Sequence, residues 1–296
     1  IMHRETMRMA VLIDGKALAR KVRAETAFEA AKLPRKAGLA VVLVGSDPAS
    51  RIYVSGKERD CEECGFISRE YNFDEGVTQE ELLRLIAALN SDPEIDGILV
   101  QLPLPESIDE NTIIEAISPE KDVDGFHPVN VGRLAAGRPV LLPCTPAGIM
   151  EMFRAYDISL DGKVCVMVGR SNIVGKPMGL MMLRANGTVI YAHSHTPGLA
   201  DFTRQADILV VAAGHRGLIS GDMIKPGAAV VDVAMNRDPE TGKFTGDVVF
   251  SEAERVASYI TPVPGGVGPM RRAMLMKNIL TAAKLHILRQ QQQALF

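Results

Sequence analysis

Short apolar runs alternate with helix-patterned segments along nearly all of this 296-residue chain, and that alternation leaves few folds open. Strands that rejoin a sheet only after an intervening helix run parallel and are covered on both faces, which is α/β construction. In the first half, LAVVLVG (39–45) reads as a buried strand. A helix over 50–64 follows and stops at Gly65, a natural C-terminal cap. A strand at 67–71, a helix at 78–90 and a strand at 97–100 come next. A helix over 145–156 opens a second run, with strands at 163–169, 188–192, 207–213 and 228–234 and a short helix over 199–205. A long helix over 269–288 closes the chain.

The length suggests one large or two ordinary domains, enough to bury a core without a disulfide or metal staple. Lys+Arg 33 against Asp+Glu 36 gives a net charge of −3, without the basic stripe of a dedicated nucleic-acid binder. No apolar run is long enough to span a membrane, and the opening IMHRETMRM is too short and polar for a signal peptide. Cys61 and Cys64 form a lone C-x-x-C with no second ligand pair at matching spacing, so reduced thiols in a cytoplasmic protein are expected and no metal site.

Where the strand 163–169 ends, the segment GRSNIVGKPMG turns into a helix. A glycine turn there presents N–H groups and a positive dipole end to a pyrophosphate, and Gly169, Gly175 and Gly179 fit that role. Their spacing is not the standard dinucleotide fingerprint, and a tight turn without ligand is the plain alternative. An NAD site usually carries an acid near the end of the second strand. Here that place reads AHSHT, with His193, Ser194 and His195, and Arg170 follows the first glycine. A hydroxyl, imidazoles and a guanidinium suit a 2′-phosphate, so NADP is expected over NAD.

The chemistry of the first half lies in Tyr53 and Lys57, four apart and so one turn apart on one helix face. A lysine on an apolar, partly closed face loses charge readily and can move protons. Short-chain dehydrogenases use the same spacing, but there the pair follows the glycine turn, whereas here it precedes it by over a hundred residues. Gln101 and Asp124 lie in proline-rich loops after strands, with Gly125 and Pro128 shaping the second loop. The late TPVPGGVGPM (261–270) is a rigid loop that lets a flat ligand approach backbone.

The segments SRIYVSGKERDCEECG, GILVQLPLP, PEKDVDGFHPVNVGRL, PCTPAGIMEM, GRSNIVGKPM, GDVVF and ASYITPVPGGVGPM occur in this order. From about Val11 to Lys284 the chain resembles the bifunctional methylenetetrahydrofolate dehydrogenase/cyclohydrolase family (FolD type). The resemblance implies an α/β fold of two domains with a folate cleft between them. The catalytic domain spans 7–147 plus 270–296 and the Rossmann-type NADP-binding domain 148–269. It implies a homodimer formed through the nucleotide domain, tetrahydrofolate derivatives as substrates, and no nucleic-acid or membrane partner. The reaction is NADP-linked oxidation of 5,10-methylenetetrahydrofolate to the methenyl form, then hydrolysis to 10-formyltetrahydrofolate.

Carried over by motif, Lys57 serves the hydrolytic step, Tyr53 packs on the pterin, and Gln101 hydrogen-bonds Lys57. Asp124 grips the pterin amino and ring N–H groups, and Leu102 with the Pro264–Gly265–Gly266 loop completes the folate contacts. The NADP site takes Gly169, Arg170, Ser171, Ile173, Val174, Gly175, Ser194, His195, Ala213, Gly214 and Asp232. Three departures from the family pattern stand out. His195 replaces a permanent cation, so NADP binding is expected to weaken as pH rises above about 7. Ala234 replaces a glycine of DVGINR, which questions the backbone approach to the nicotinamide. Arg271 and Arg272 follow GPM where Thr and an aliphatic residue are usual; one of them contacts an anion such as a folate glutamate tail, or both are a solvated pair. Another NADP-linked dehydrogenase, or a non-catalytic binding protein, would lack the need for Lys57, Gln101 and Asp124 together.

Overall fold

The computed structural model describes residues 9–45, 48–239 and 241–293, with residues 48–55 and 293 described by their backbone alone. The chain runs β1 (Val11–Leu12), α1 (Gly15–Ala30), β2 (Gly38–Val44), α2 (Pro48–Glu63), β3 (Ile67–Phe73), α3 (Gln79–Ser91) and β4 (Gly97–Val100). Helices α4 (Glu110–Ala116), α5 (Pro128–Ala135) and α6 (Cys144–Ala155) follow. Next come β5 (Val164–Val168), α7 (Gly175–Arg184), β6 (Thr188–Ala192), α8 (Leu199–Thr203), β7 (Ile208–Val211) and β8 (Ala229–Asp232). A hairpin of β9 (Asn236–Arg237) and β10 (Phe244–Thr245), α9 (Phe250–Ala253), β11 (Tyr259–Ile260) and α10 (Val267–Gln293) complete it.

The chain forms two compact units. Of the described residues, one takes those between 19 and 144 and 272–293, the other 9–18 and those between Thr145 and Arg271. In the first unit, β3, β2 and β4 form a parallel sheet in that order. Strand β2 (GLAVVLV) is buried along its whole length, as a central parallel strand must be. Helix α3 starts on a capping box: Thr78 Oγ1 accepts from the Glu81 N–H at 3.3 Å, and the Glu81 carboxylate accepts from the Thr78 N–H at 2.8 Å. Its Leu82, Ile86 and Leu89, spaced at helical intervals, pack into the sheet's core with Val42, Ile98 and Val100.

The second unit holds a six-stranded parallel sheet in the order β1-β11-β8-β7-β5-β6, around a core that includes Val166, Leu209, Val230 and Ile260. Val11 and Leu12 pair with Tyr259 and Ile260, so β1 joins this sheet across most of the chain. Several elements escape the sequence reading, and for β1 and α1 the reasons are clear. Strand β1 is two residues long, and the buried face of α1 mixes Ala19 and Val22 with Arg23 and Thr26, which breaks its apolar stripe.

Candidate functional site

In the first unit the sheet order 3-2-4 reverses direction between β2 and β4, and loops that diverge at such a point leave room for a ligand at the carboxyl ends of the strands. Lys57 lies on α2, the helix that follows β2, and Gln101 directly follows β4. Lys57 is buried, 4% exposed, and its Nζ donates to Gln101 Oε1 at 2.8 Å. Gln101 Nε2 donates to the Leu102 carbonyl at 2.6 Å, and the Gln101 N–H reaches the Val42 carbonyl at 2.9 Å. These bonds fix which end of the amide faces the lysine: the nitrogen is held by a carbonyl, so the oxygen must point at Nζ. Tyr53 belongs to the same helix, and its side chain lies outside the described residues.

Asp124 sits in the loop between α4 and α5, buried at 8% exposure, and its carboxylate accepts no hydrogen bond among the described residues. The loop is built by its neighbour. The Asp122 carboxylate accepts from the N–H groups of Gly125 (3.1 Å), Phe126 (3.2 Å) and His127 (2.8 Å) and from Asn130 Nδ2 (2.8 Å). Burial pushes its carboxyl upward against those bonds. Gly125 takes φ +76°, and a Cβ there would meet the Leu142 carbonyl carbon at 2.5 Å, so the turn requires glycine. Asp122 is a residue that spacing alone could not single out, because its partners are chiefly main-chain N–H groups.

In the second unit the switch point falls between β5 and β7. A cavity of about 430 Å³ opens there, lined by Gly169, Arg170, Ser171, His193, Ser194, Thr196, Ala212, Ala213 and His215 with Val168, Leu199 and Leu218. The three glycines do three different things. Gly169 has φ +123° and would drive a Cβ to 2.4 Å from the Ala212 carbonyl oxygen. Gly175 packs on Gly169 and Arg170, and Gly179 on the Tyr191 ring. Ser171 Oγ accepts from the N–H groups of Val174 and Gly175, both at 3.2 Å. The first N–H groups of α7 are therefore held within the protein, contrary to the open N-terminus expected from the sequence.

The remaining expected nucleotide residues divide. Ile173, Val174, Gly175, His195, Gly214 and Asp232 do not line this cavity. The His195 ring lies edge-on to His193 with centroids 6.1 Å apart, so the imidazoles on the cavity are His193 and His215. The N–H groups of Ala213 and Gly214 both point at Asp247 Oδ2, at 2.7 and 2.9 Å. The Asp232 carboxylate accepts from the N–H groups of Ala234, Asp247 and Val248, and burial raises its carboxyl to about 6. Asp247 and His215 are the residues that sequence reading missed. The late loop holds Gly265 at φ +112°, with the Gly266 N–H on the Pro262 carbonyl at 2.9 Å and Pro264 exposed.

The chain matches the tetrahydrofolate dehydrogenase/cyclohydrolase catalytic domain over residues 13–124 and the tetrahydrofolate dehydrogenase/cyclohydrolase NAD(P)-binding domain over residues 143–287. It is 55% identical to the bifunctional protein FolD of Acetivibrio thermocellus, over 93% of this chain and 98% of that protein. The chain belongs to the tetrahydrofolate dehydrogenase/cyclohydrolase family. Among solved structures it is similar to the FolD methylenetetrahydrofolate dehydrogenase/cyclohydrolase of Campylobacter jejuni, with 51% identity, TM-score 0.92, and 93% and 99% of the two chains covered. It is also similar to the Trypanosoma brucei FolD complexed with NADP cofactor and inhibitor, with 40% identity, TM-score 0.90, and coverage of 95% and 99%.

As a member of that family the chain is a bifunctional enzyme of one-carbon folate metabolism. It oxidises 5,10-methylenetetrahydrofolate with NADP and hydrolyses the methenyl product to 10-formyltetrahydrofolate. The donor set suits that cofactor: a guanidinium, two imidazoles and three hydroxyls surround a cavity floored by a glycine. Two of the departures from the family pattern have a visible setting in the structure. Ala234 is not at positive φ, so its own backbone conformation does not require glycine. Arg272 faces an anion within the protein, with Nε 3.2 Å from Asp60 Oδ2, and so is not half of a solvated surface pair. Cys61 and Cys64 are both buried, with thiols pushed up to about 12 chiefly by desolvation, which keeps them protonated.

Proposed function

We propose that Lys57, held by Gln101, performs the proton transfer of the hydrolytic step, and that the first unit is the folate-binding catalytic part of the enzyme. NADP, when bound, accepts hydride from the methylene carbon. The cation left behind is delocalised over two nitrogens of the folate, so this step asks the chain for geometry more than for an acid or base. Water then adds to that carbon, and its proton must pass to a base. A neutral lysine amine is such a base, and the Gln101 oxygen fixes where its nitrogen sits. The Asp124 carboxylate, buried and unpartnered within the described residues, suits the amino and ring N–H groups of a pterin. Tyr53 would pack on the pterin, and Leu102 and the Pro264–Gly265–Gly266 loop would complete the folate contacts.

In the second unit, Arg170, Ser171, Ser194 and the two imidazoles would hold the nucleotide's phosphates. The same reading takes the enzyme as a cytoplasmic homodimer assembled through this unit, without nucleic-acid or membrane partners. No described helix is long and apolar enough to cross a membrane.

The observation that carries the reading is the 2.8 Å bond between a buried lysine and a glutamine whose amide is oriented by its own neighbour. The test is an absorbance assay of methenyl formation and hydrolysis with wild type and Lys57→Ala. Hydrolysis is expected to fall by about 100-fold or more in the variant, the usual weight of a positioned base. Hydrolysis at the wild-type rate in a folded Lys57→Ala protein would overturn the assignment.

A further inference from the structure

Among the groups the chemistry leaves unused is Asp247, a carboxylate with no exposed surface, lodged beside the nucleotide cavity. Its Oδ2 accepts from two consecutive main-chain N–H groups, Ala213 at 2.7 Å and Gly214 at 2.9 Å. Its Oδ1 accepts from Asn236 Nδ2 at 2.9 Å, which ties the turn after β7 to the first residue of the β9–β10 hairpin. The carboxylate is itself fixed from behind. Asp232 accepts the N–H of Asp247 at 3.1 Å and that of Val248 at 2.8 Å, and the Asp247 carbonyl accepts from Ile219 at 3.0 Å.

What Asp247 holds is the wall of the cavity. Ala212 and Ala213 line it, and the Ala212 carbonyl is the group that Gly169 must approach without a Cβ. The ring of His215 also lines it, with Nδ1 2.9 Å from the Ala213 carbonyl, so the turn sets the direction of that imidazole. Two N–H groups converging on one oxygen need a strong acceptor, and a carboxylate is the strongest the chain can offer.

We propose that Asp247 is a positioning residue for NADP: it touches no substrate, and it locks the 213–215 turn in the geometry that receives the nucleotide. This rests on NADP binding in the second unit. The turn would otherwise be free to rotate its N–H groups toward the cavity or toward water, and every nucleotide contact from Ala212 to His215 would shift with it. Asn236 adds a constraint that makes the idea testable. An asparagine at 247 can keep all three bonds if the Asn236 amide turns round, because its oxygen then takes the two N–H groups and its nitrogen donates to the Asn236 oxygen.

Calorimetric NADP binding and initial rates are to be measured for wild type, Asp247→Ala and Asp247→Asn. In Asp247→Ala the Kd and KM for NADP should rise about tenfold or more, the effect of losing charge-assisted bonds at the turn. The kcat at saturating NADP and the folate KM should move far less. Asp247→Asn should recover most of the affinity. Wild-type NADP affinity in folded Asp247→Ala would overturn the proposal, as would an Asn variant no better than Ala at unchanged Tm. Should Asp247→Ala not fold, Asn236→Asp on the partly exposed hairpin gives the second probe. Two facing carboxylates should weaken NADP binding, and adding Asp247→Asn should restore it. Failure of the double variant to restore affinity would overturn the proposal. Wild type that binds no NADP would instead remove the cofactor assignment beneath it.

Discussion

At the scale of single residues, the buried carboxylate of Asp60 explains an arginine that the family pattern does not predict. Asp60 is 3% exposed and lies one turn beyond Lys57 on α2, with Arg23 Nε at 3.4 Å and Arg272 Nε at 3.2 Å. Desolvation raises its carboxyl even against both cations. A buried charge that loses a partner keeps its desolvation cost, so Arg272→Ala should cost about 2 kcal/mol, less than for a fully enclosed pair because Arg23 remains. Denaturant melts should show Asp60→Asn/Arg272→Ala losing less than the sum of the two single variants. Strict additivity would mean the two groups do not couple. The Lys57–Gln101 pair was legible because its motifs carry it. The Asp60–Arg272 pair was not, because spacing within one helix says nothing about a cation that arrives from the far end of the chain. Asp122 and Asp247 escaped for a related reason: their partners are mainly N–H groups, which every residue but proline possesses.

At the scale of elements, the strands were legible wherever a continuous apolar run was long enough to be buried on both faces, as in β2, β5, β7 and β8. What ties such elements together was not. Asp96, immediately before β4 and with no exposed surface, receives a two-pronged bond from Arg35, both distances 2.7 Å, a bond from the Gly38 N–H at 3.0 Å, and His286 of α10 at 3.0 Å. Burial would raise its carboxyl, but these hydrogen bonds outweigh burial and hold it below the usual range. A carboxyl lowered in the native state releases its proton there first, so in acid the unfolded chain binds more protons and stability rises with pH. The contribution is therefore in place above the ordinary aspartate value of about 4 and is lost as pH falls through the lower native value. Wild type should exceed Asp96→Asn by about 3 kcal/mol near neutrality, and the gap should narrow between about pH 5 and pH 3 in denaturant melts. A gap independent of pH would mean that Asp96 acts through shape and not charge.

At the scale of the whole molecule, both units use one topological device. Each sheet reverses its winding, and the candidate residues lie at the carboxyl ends flanking that point: Lys57 and Gln101 around β2 and β4, Gly169 and Ala213 around β5 and β7. The α/β class followed from the alternation alone, whereas the sheet orders and the joining of residues 11–12 to the second sheet are long-range pairings that periodicity cannot carry. Helices α1 and α10 each run unbroken through a unit boundary, at residues 18–19 and 271–272. Opening one unit alone would strip the first turn from one or both of these helices, which exposes hydrogen-bonded backbone. The two units should therefore unfold together. NADP at about a hundred times its Kd stabilises the native state by about 2.7 kcal/mol, which slows globally exchanging amides about a hundredfold. Native-state hydrogen exchange should then show the slowest amides of β2 and β4 slowing by the same factor as those of β7 and β8, although the nucleotide residues all lie in the second unit. Protection confined to residues 145–271 would show that the shared helices do not couple the units, and that each unfolds on its own.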